Sequence, residues 1–219
     1  SIEAEGYVIK DRQEPYGTSR VNLSQIDFEA LKRSFMTEKK HIHAERLKNV
    51  VKGKVTNMVR LNRSRTNFLE KLQQMIDEYN SGAINVEIFF DKLLAFAKEL
   101  QEEEKRGISE NLTEEELAIF DLLYKYDLTA NEKKQVKHVA KRLLSVLKKE
   151  KLVLDWRKRQ QTRADVVLTI QNILDEGLPR SYTPAVYQHK CDLVYHHVYD
   201  AYYGSERGVY AAGAQASIH

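Results

Sequence analysis

Apolar residues recur three and four positions apart from Leu47 to Tyr202, and very little in the chain interrupts them. At about 100° per residue such spacing gathers side chains on one face of a helix, so the chain must bury a succession of helical stripes against one another. Leu47, Val50, Val51, Val55, Met58 and Val59 form one long stripe, broken only at Gly53. Leu69, Leu72, Ile76 and Tyr79 form the next, which stops at "NSG". Asn85 is placed to cap a further helix through Phe89, Phe90, Leu93, Leu94, Ala97 and Leu100. Thr113 with Glu116, and Thr129 with Glu132, each offer the hydroxyl and the carboxylate three residues on that a reciprocal cap requires, opening helices over roughly 113–125 and 130–149. Ser24 with Asp27 suggests the start of a short helix ending near Phe35, Asp155 can cap another, and Thr183 with Pro184 opens the last after "EGLPRSYTP". Nine glycines and three prolines are too few for the many tight turns of an all-β chain. The expectation is an all-α fold of about eight helices in a compact helical domain, without a β-sheet.

The first twenty residues contain Gly6, Pro15 and Gly17 and lack helical periodicity, so residues 1–20 read as a segment entering from an upstream domain, 21–204 as the helical domain and 205–219 as a tail. A chain of 219 residues that is 42% hydrophobic can bury a sizeable core, as one large domain or two small lobes. The one cysteine, Cys191, excludes an intramolecular disulfide or a cysteine zinc cluster and fits a reducing compartment. No apolar run approaches the roughly 18 residues of a membrane span and no signal peptide precedes the chain, so no membrane contact and a cytoplasmic location are expected. Phosphate loop, dinucleotide turn, nucleophile elbow and H-E-x-x-H motifs are all absent, which leaves no self-contained ATP or serine chemistry, no catalytic residue and no cofactor to assign.

Charge is strongly segregated. Residues 32–65 carry +9, residues 99–121 carry −7 and residues 133–163 carry +10. A fold can neutralise such blocks internally or present a basic face to a polyanion. Within the second basic block, "LDWRKRQQTRADVV" at 154–167 holds the chain's one tryptophan. On a continuous helix Trp156, Val166, Val167, Ile170, Ile173 and Leu174 share a side with Arg159 and Arg163. Arginines that extend an apolar stripe need partners, which makes these two structural or interface residues, paired with acids inside the fold. Along "YQHKCDLVYHHVYDAYYG", His189, Asp192, His196 and Asp200 lie opposite a stripe of Tyr187, Cys191, Val194, Tyr195, Val198 and Tyr202. His189 and His196 are about 10 Å apart along the axis, too far for one ion, so i,i+4 pairs such as Asp192 with His196 or His196 with Asp200 are the better reading and no metal is expected. "HIH" at 41–43 reads as surface. The core is expected to include Trp156, Val167, Ile170, Leu174, Tyr187, Val194 and Val198.

The runs "LDWRKRQQ.RA", "LP..YTP..Y..KC" and "VY..YYG", with "VNLSQIDFEALKRSF", "MVRLNRSRTNFLEKLQQMIDEYNSG" and "LTEEELAIFDLL" upstream, make residues 21–212 similar to the C-terminal helical region of the motor, or R, subunit of type I restriction enzymes. The resemblance implies a fragment of an ATP-dependent endodeoxyribonuclease and DNA translocase, with ATP and Mg belonging to domains upstream. It implies a domain that helps join the motor to the methyltransferase and specificity subunits and lies along DNA, and it carries no catalytic residue into this segment. Arg60, Arg63 and Arg65 of the first basic block and Lys141, Lys148, Lys149, Arg157 and Lys158 of the second are then the candidates for duplex contacts, made to the backbone without sequence preference. The alternative is a module that meets only protein, its basic blocks facing acidic partner surfaces.

Overall fold

The computed structural model describes residues 27–37, 39–204 and 207–210. The expected entering segment, the Ser24 cap and most of the expected tail lie outside them. Among the described residues the fold is all-α, with eight α-helices and one short antiparallel pair of strands. They divide into two compact units, the first made of residues up to Met58 with Thr66–Arg106, the second of Val59–Arg65 with Gly107 onward.

The first unit is built from α1 (Phe28–Thr37), α2 (Lys40–Leu61) as far as Met58, α3 (Thr66–Asn80) and α4 (Val86–Ser109) as far as Arg106. The Asp27 carboxylate accepts from the backbone N–H of Glu29 and Ala30, so it is Asp27 that caps α1. Asn85 caps α4 through the Ile88 N–H at 2.9 Å. The stripe of α2 buries Ala44, Leu47, Val51, Val55 and Met58. Val50 falls at its half-buried margin. Phe35 stacks on Phe90 with ring centres 3.9 Å apart, and Tyr79 on Phe89 at 4.3 Å.

The second unit contains α5 (Glu114–Leu123), α6 (Ala130–Val146), α7 (Gln160–Gly177) and α8 (Pro184–Ala201), then β1 (Tyr202–Gly204) paired with β2 (Arg207–Gly208). Both capping boxes form, at Thr113 with Glu116 and at Thr129 with Glu132. A hydrogen bond from Ser181, with those from the Thr129 backbone and hydroxyl, holds the Glu132 carboxyl at about 2, well below the usual carboxylate range. Thr183 and Pro184 start α8 as expected. A Cβ on Gly177 would meet Val139 at 2.6 Å, so the end of α7 packs against α6 at a distance only glycine permits.

The "LDWRKRQQTRADVV" stretch is not one helix. Asp155 takes a left-handed conformation (φ 59) instead of capping one, residues 154–158 form turns, and α7 begins at Gln160 with Arg159 as its N-cap. One left-handed residue redirects the chain. Trp156 reaches the core from this turn and not from a helix face. It is fully buried, and its indole N–H donates to the Tyr202 carbonyl at 3.1 Å.

Candidate nucleic-acid interface

The second unit carries a cleft of about 470 Å³ lined by Val59, Arg60, Arg63, Arg157, His197, Asp200, Ala201, Tyr203 and Val209. Three separate elements supply its charge. The last turn of α2 brings Arg60, the 3-10 turn Arg63–Arg65 brings Arg63, and the turn before α7 brings Arg157. Arg63 pairs with Asp200 at 2.6 Å. The Arg157 guanidinium lies over the rings of Tyr199 at 4.3 Å and Tyr203 at 5.2 Å. Its backbone is clamped as well, because the Arg163 guanidinium donates to the Arg157 carbonyl at 2.7 Å and the Thr162 hydroxyl donates to the Trp156 carbonyl at 2.6 Å. Among the described residues the lining holds three guanidinium groups and the Asp200 carboxylate that pairs with Arg63.

His197 forms the floor. It is 3% exposed, and its Nε2 lies 3.2 Å from the Tyr210 hydroxyl, which donates to the Leu61 carbonyl at the end of α2. Burial, and then the nearby Arg63 charge, push the imidazole down to about 4, while Asp200 and Glu115 act weakly the other way. Because the folded value lies below the ordinary 6.5, the unfolded chain takes up the proton first. The stability this confers is complete above pH 6.5 and is lost as the pH falls toward 4, by about 2 kcal/mol at pH 5. Denaturant midpoints at pH 7 and pH 5 check this. His197→Gln, which takes up no proton in that range, is expected to flatten the fall, and an equal fall in both proteins would assign it to other groups.

The family described as "Type I restriction enzyme HindI endonuclease subunit-like, C-terminal" matches residues 1–201. The chain belongs to this family. A Methanocaldococcus jannaschii protein provisionally named type I restriction enzyme MjaIXP endonuclease subunit is 30% identical over 113 residues, covering 51% of this chain and 11% of that protein. The chain thus spans about a tenth of the length of the curated relative it matches. No solved structure matches it.

In this member of the family the acidic segment neutralises part of both basic blocks, inside each unit. Glu104 pairs with Lys54 of the first block, and Glu99 with Lys71 beyond it, in the first unit. In the second, Glu110 takes Lys133 and Lys137, Glu114 takes Arg65, and Glu115 takes Lys148. The eight residues expected to touch DNA therefore separate. Arg60, Arg63 and Arg157 share the cleft. Arg65 is 3% exposed and engaged with Glu114, so its placement does not suit a phosphate contact. Lys148 holds Glu115 through both carboxylate oxygens, at 2.9 and 3.0 Å. Lys158 pairs with Asp155 at 3.0 Å in a largely exposed bridge. Lys141 and Lys149 make no ion pair among the described residues.

The two arginines expected to find buried acids do otherwise. Arg159 is exposed at the start of α7, and Arg163 is satisfied by the Arg157 carbonyl. Both differences follow from the turn at Asp155, which ends the helical geometry on which the expectation rested. Of the expected core, Trp156, Ile170, Leu174, Val194 and Val198 are buried, while Val167 and Tyr187 are half-buried at the edges of their stripes. On α8, Asp192 accepts from Gln188 at 3.0 Å and Asp200 pairs with Arg63, in place of the expected i,i+4 pairs with His196. Among the described residues no group of three or more His, Cys, Asp or Glu is placed to hold a metal ion, and no helix is long and apolar enough to cross a membrane. His197 and Tyr203 escaped the sequence reading. His197 follows Val194 by three residues and precedes Ala201 by four, a spacing that signals the buried face.

Proposed function

We propose that this chain is a helical module of a type I restriction endonuclease subunit, without catalytic chemistry of its own, that helps assemble the motor with the methyltransferase and specificity subunits and holds duplex DNA by its backbone. The observation that carries the reading is the meeting of Arg60 and Arg63, from one basic block, with Arg157, from the other, around a single cleft. Arg157 is held rigidly by its aromatic neighbours and by Arg163, so little side-chain freedom is lost when it meets a phosphate. Lys141 and Lys149 add positive charge in the same unit. Phosphate contacts of this kind position the protein and read no bases.

A salt series with duplex DNA tests the reading, since each phosphate contact releases counterions. Arg60→Ala combined with Arg157→Gln is expected to weaken binding to every duplex sequence alike and to reduce the slope of log affinity against log salt by about one unit for each phosphate no longer held. Lys149→Glu should do the same with little change in melting, because exposed charges contribute little to folding. The purified chain is expected neither to hydrolyse ATP nor to cut the duplex. Unchanged affinity in these variants would reject the DNA contact. It would favour the second reading, a module that meets only protein, which draws support from the pairing of Arg65, Lys133, Lys137 and Lys148 with acids of the same unit.

A further inference from the structure

The cleft is concave, and its shape suits a smaller ligand than a duplex. Its volume of about 470 Å³ is large enough for a small-molecule ligand, roughly 300–1,000 Å³ being usual, and the cleft is half open to solvent. A double helix can only cross its mouth. The lining also divides into two kinds of surface. Arg60 and Arg63, the latter paired with Asp200, supply cationic hydrogen-bond donors, while the ring of Tyr203, 51% exposed, lies under the flat guanidinium of Arg157. Val59, Ala201 and Val209 complete an apolar wall. Cations set next to a half-open aromatic ring and a guanidinium plane are the elements that hold an unstacked nucleotide, the phosphate on the arginines and the base on the planar groups.

We propose that the cleft binds a single unpaired nucleotide of a DNA strand, with Arg60 and Arg63 toward its phosphate and Tyr203 with Arg157 as the platform for its base. This deepens the DNA-contact reading of the same arginines and rests on it for their role. Stacking on such a platform tolerates any base, so no sequence preference accompanies it. It also separates the two tasks of the unit. Exposed lysines meet the continuous backbone, and the cleft takes the one nucleotide that leaves the stack.

The test is a comparison, with the full chain, of two labelled duplexes of the same length, one intact and one with a two-nucleotide gap that leaves two thymidines unpaired. The gapped duplex is expected to bind roughly tenfold more tightly, in line with the contribution of one stacked base. Tyr203→Leu is expected to bring the two DNAs to the same affinity and Tyr203→Phe to keep the preference, with melting curves verifying that both variants fold. Equal affinity of the unaltered chain for the two DNAs would overturn the proposal and leave the duplex reading standing. A preference that survives Tyr203→Leu would overturn it as well. Binding of the gapped duplex alone would uphold the nucleotide site and reject the duplex reading, and binding of neither would reject both.

Discussion

Trp156→Ala is expected to destabilise the protein by about 3 to 5 kcal/mol, the range for removing a large aromatic side chain from a closed core. The indole is fully buried, stands edge-on to Tyr199 with ring centres 5.9 Å apart, and donates its N–H to the Tyr202 carbonyl. Substitution leaves a cavity and removes the donor that satisfies that carbonyl. Trp156→Phe retains most of the volume and should cost clearly less, about 1 to 3 kcal/mol, the penalty for leaving a buried polar group unpaired. Thermal or denaturant unfolding of the three proteins measures both steps. Because the same indole braces the turn that carries Arg157, the DNA affinity proposed above should fall together with stability. An unchanged midpoint for the alanine variant would place Trp156 outside the cooperative core.

Arg65→Ala is expected to cost about 3 kcal/mol, since removal of one partner of a buried ion pair leaves the other charge desolvated. Arg65 is 3% exposed and sends both terminal nitrogens to the Glu114 carboxylate, which is itself partly exposed, so the value sits at the lower end of the usual range. Replacing both partners, as in Arg65→Met with Glu114→Gln, should recover much of the loss, because neither charge is then stranded. On the proposed duplex contacts, a salt series of Arg65→Ala should keep the slope of the unaltered chain, in contrast to Arg60→Ala. A stable Arg65→Ala protein with a reduced salt slope would return Arg65 to the DNA contacts.

These two residues also mark how far the sequence could be read. Helix starts were legible because a cap is local chemistry, and the hydroxyl of Thr113 or Thr129 and the carboxylate three residues on satisfy each other within one turn. Burial of Trp156 was legible from its character, but its route to the core was not. Periodicity assumes an unbroken helix, and the left-handed Asp155 breaks it with no mark in the apolar spacing. Charge segregation signalled partners without naming them. Arg65 and Glu114 lie 49 positions apart, and Arg63 and Arg157 share a cleft although they sit in different basic blocks. Such meetings depend on how helices pack, which a single sequence records only as apolar faces. His197, for which no role was read, shows the same limit, since only its spacing from Val194 and Ala201 marks the buried face on which it lies.

The second unit includes seven residues, Val59–Arg65, taken from well before its main segment. Asn62, fully buried, donates to Asp121 at 2.7 Å, Arg65 holds Glu114, and the Tyr210 hydroxyl reaches the Leu61 carbonyl across 149 positions. This imposes an order on synthesis. Helices α1 to α4 contain every residue of the first unit that the structure describes, apart from Asp27, Lys39 and the turn of residues 81–85, so that unit can close as soon as Arg106 has left the ribosome. The second is completed later, because Asn62 and Arg65 wait for Asp121 and Glu114 to be made and the Leu61 carbonyl waits for Tyr210. Neighbouring helices α5 to α8 supply most of its packing, while the contacts of residues 59–65 close long loops and so form more slowly, and a nascent chain halted between Arg106 and Tyr210 lacks the last of them.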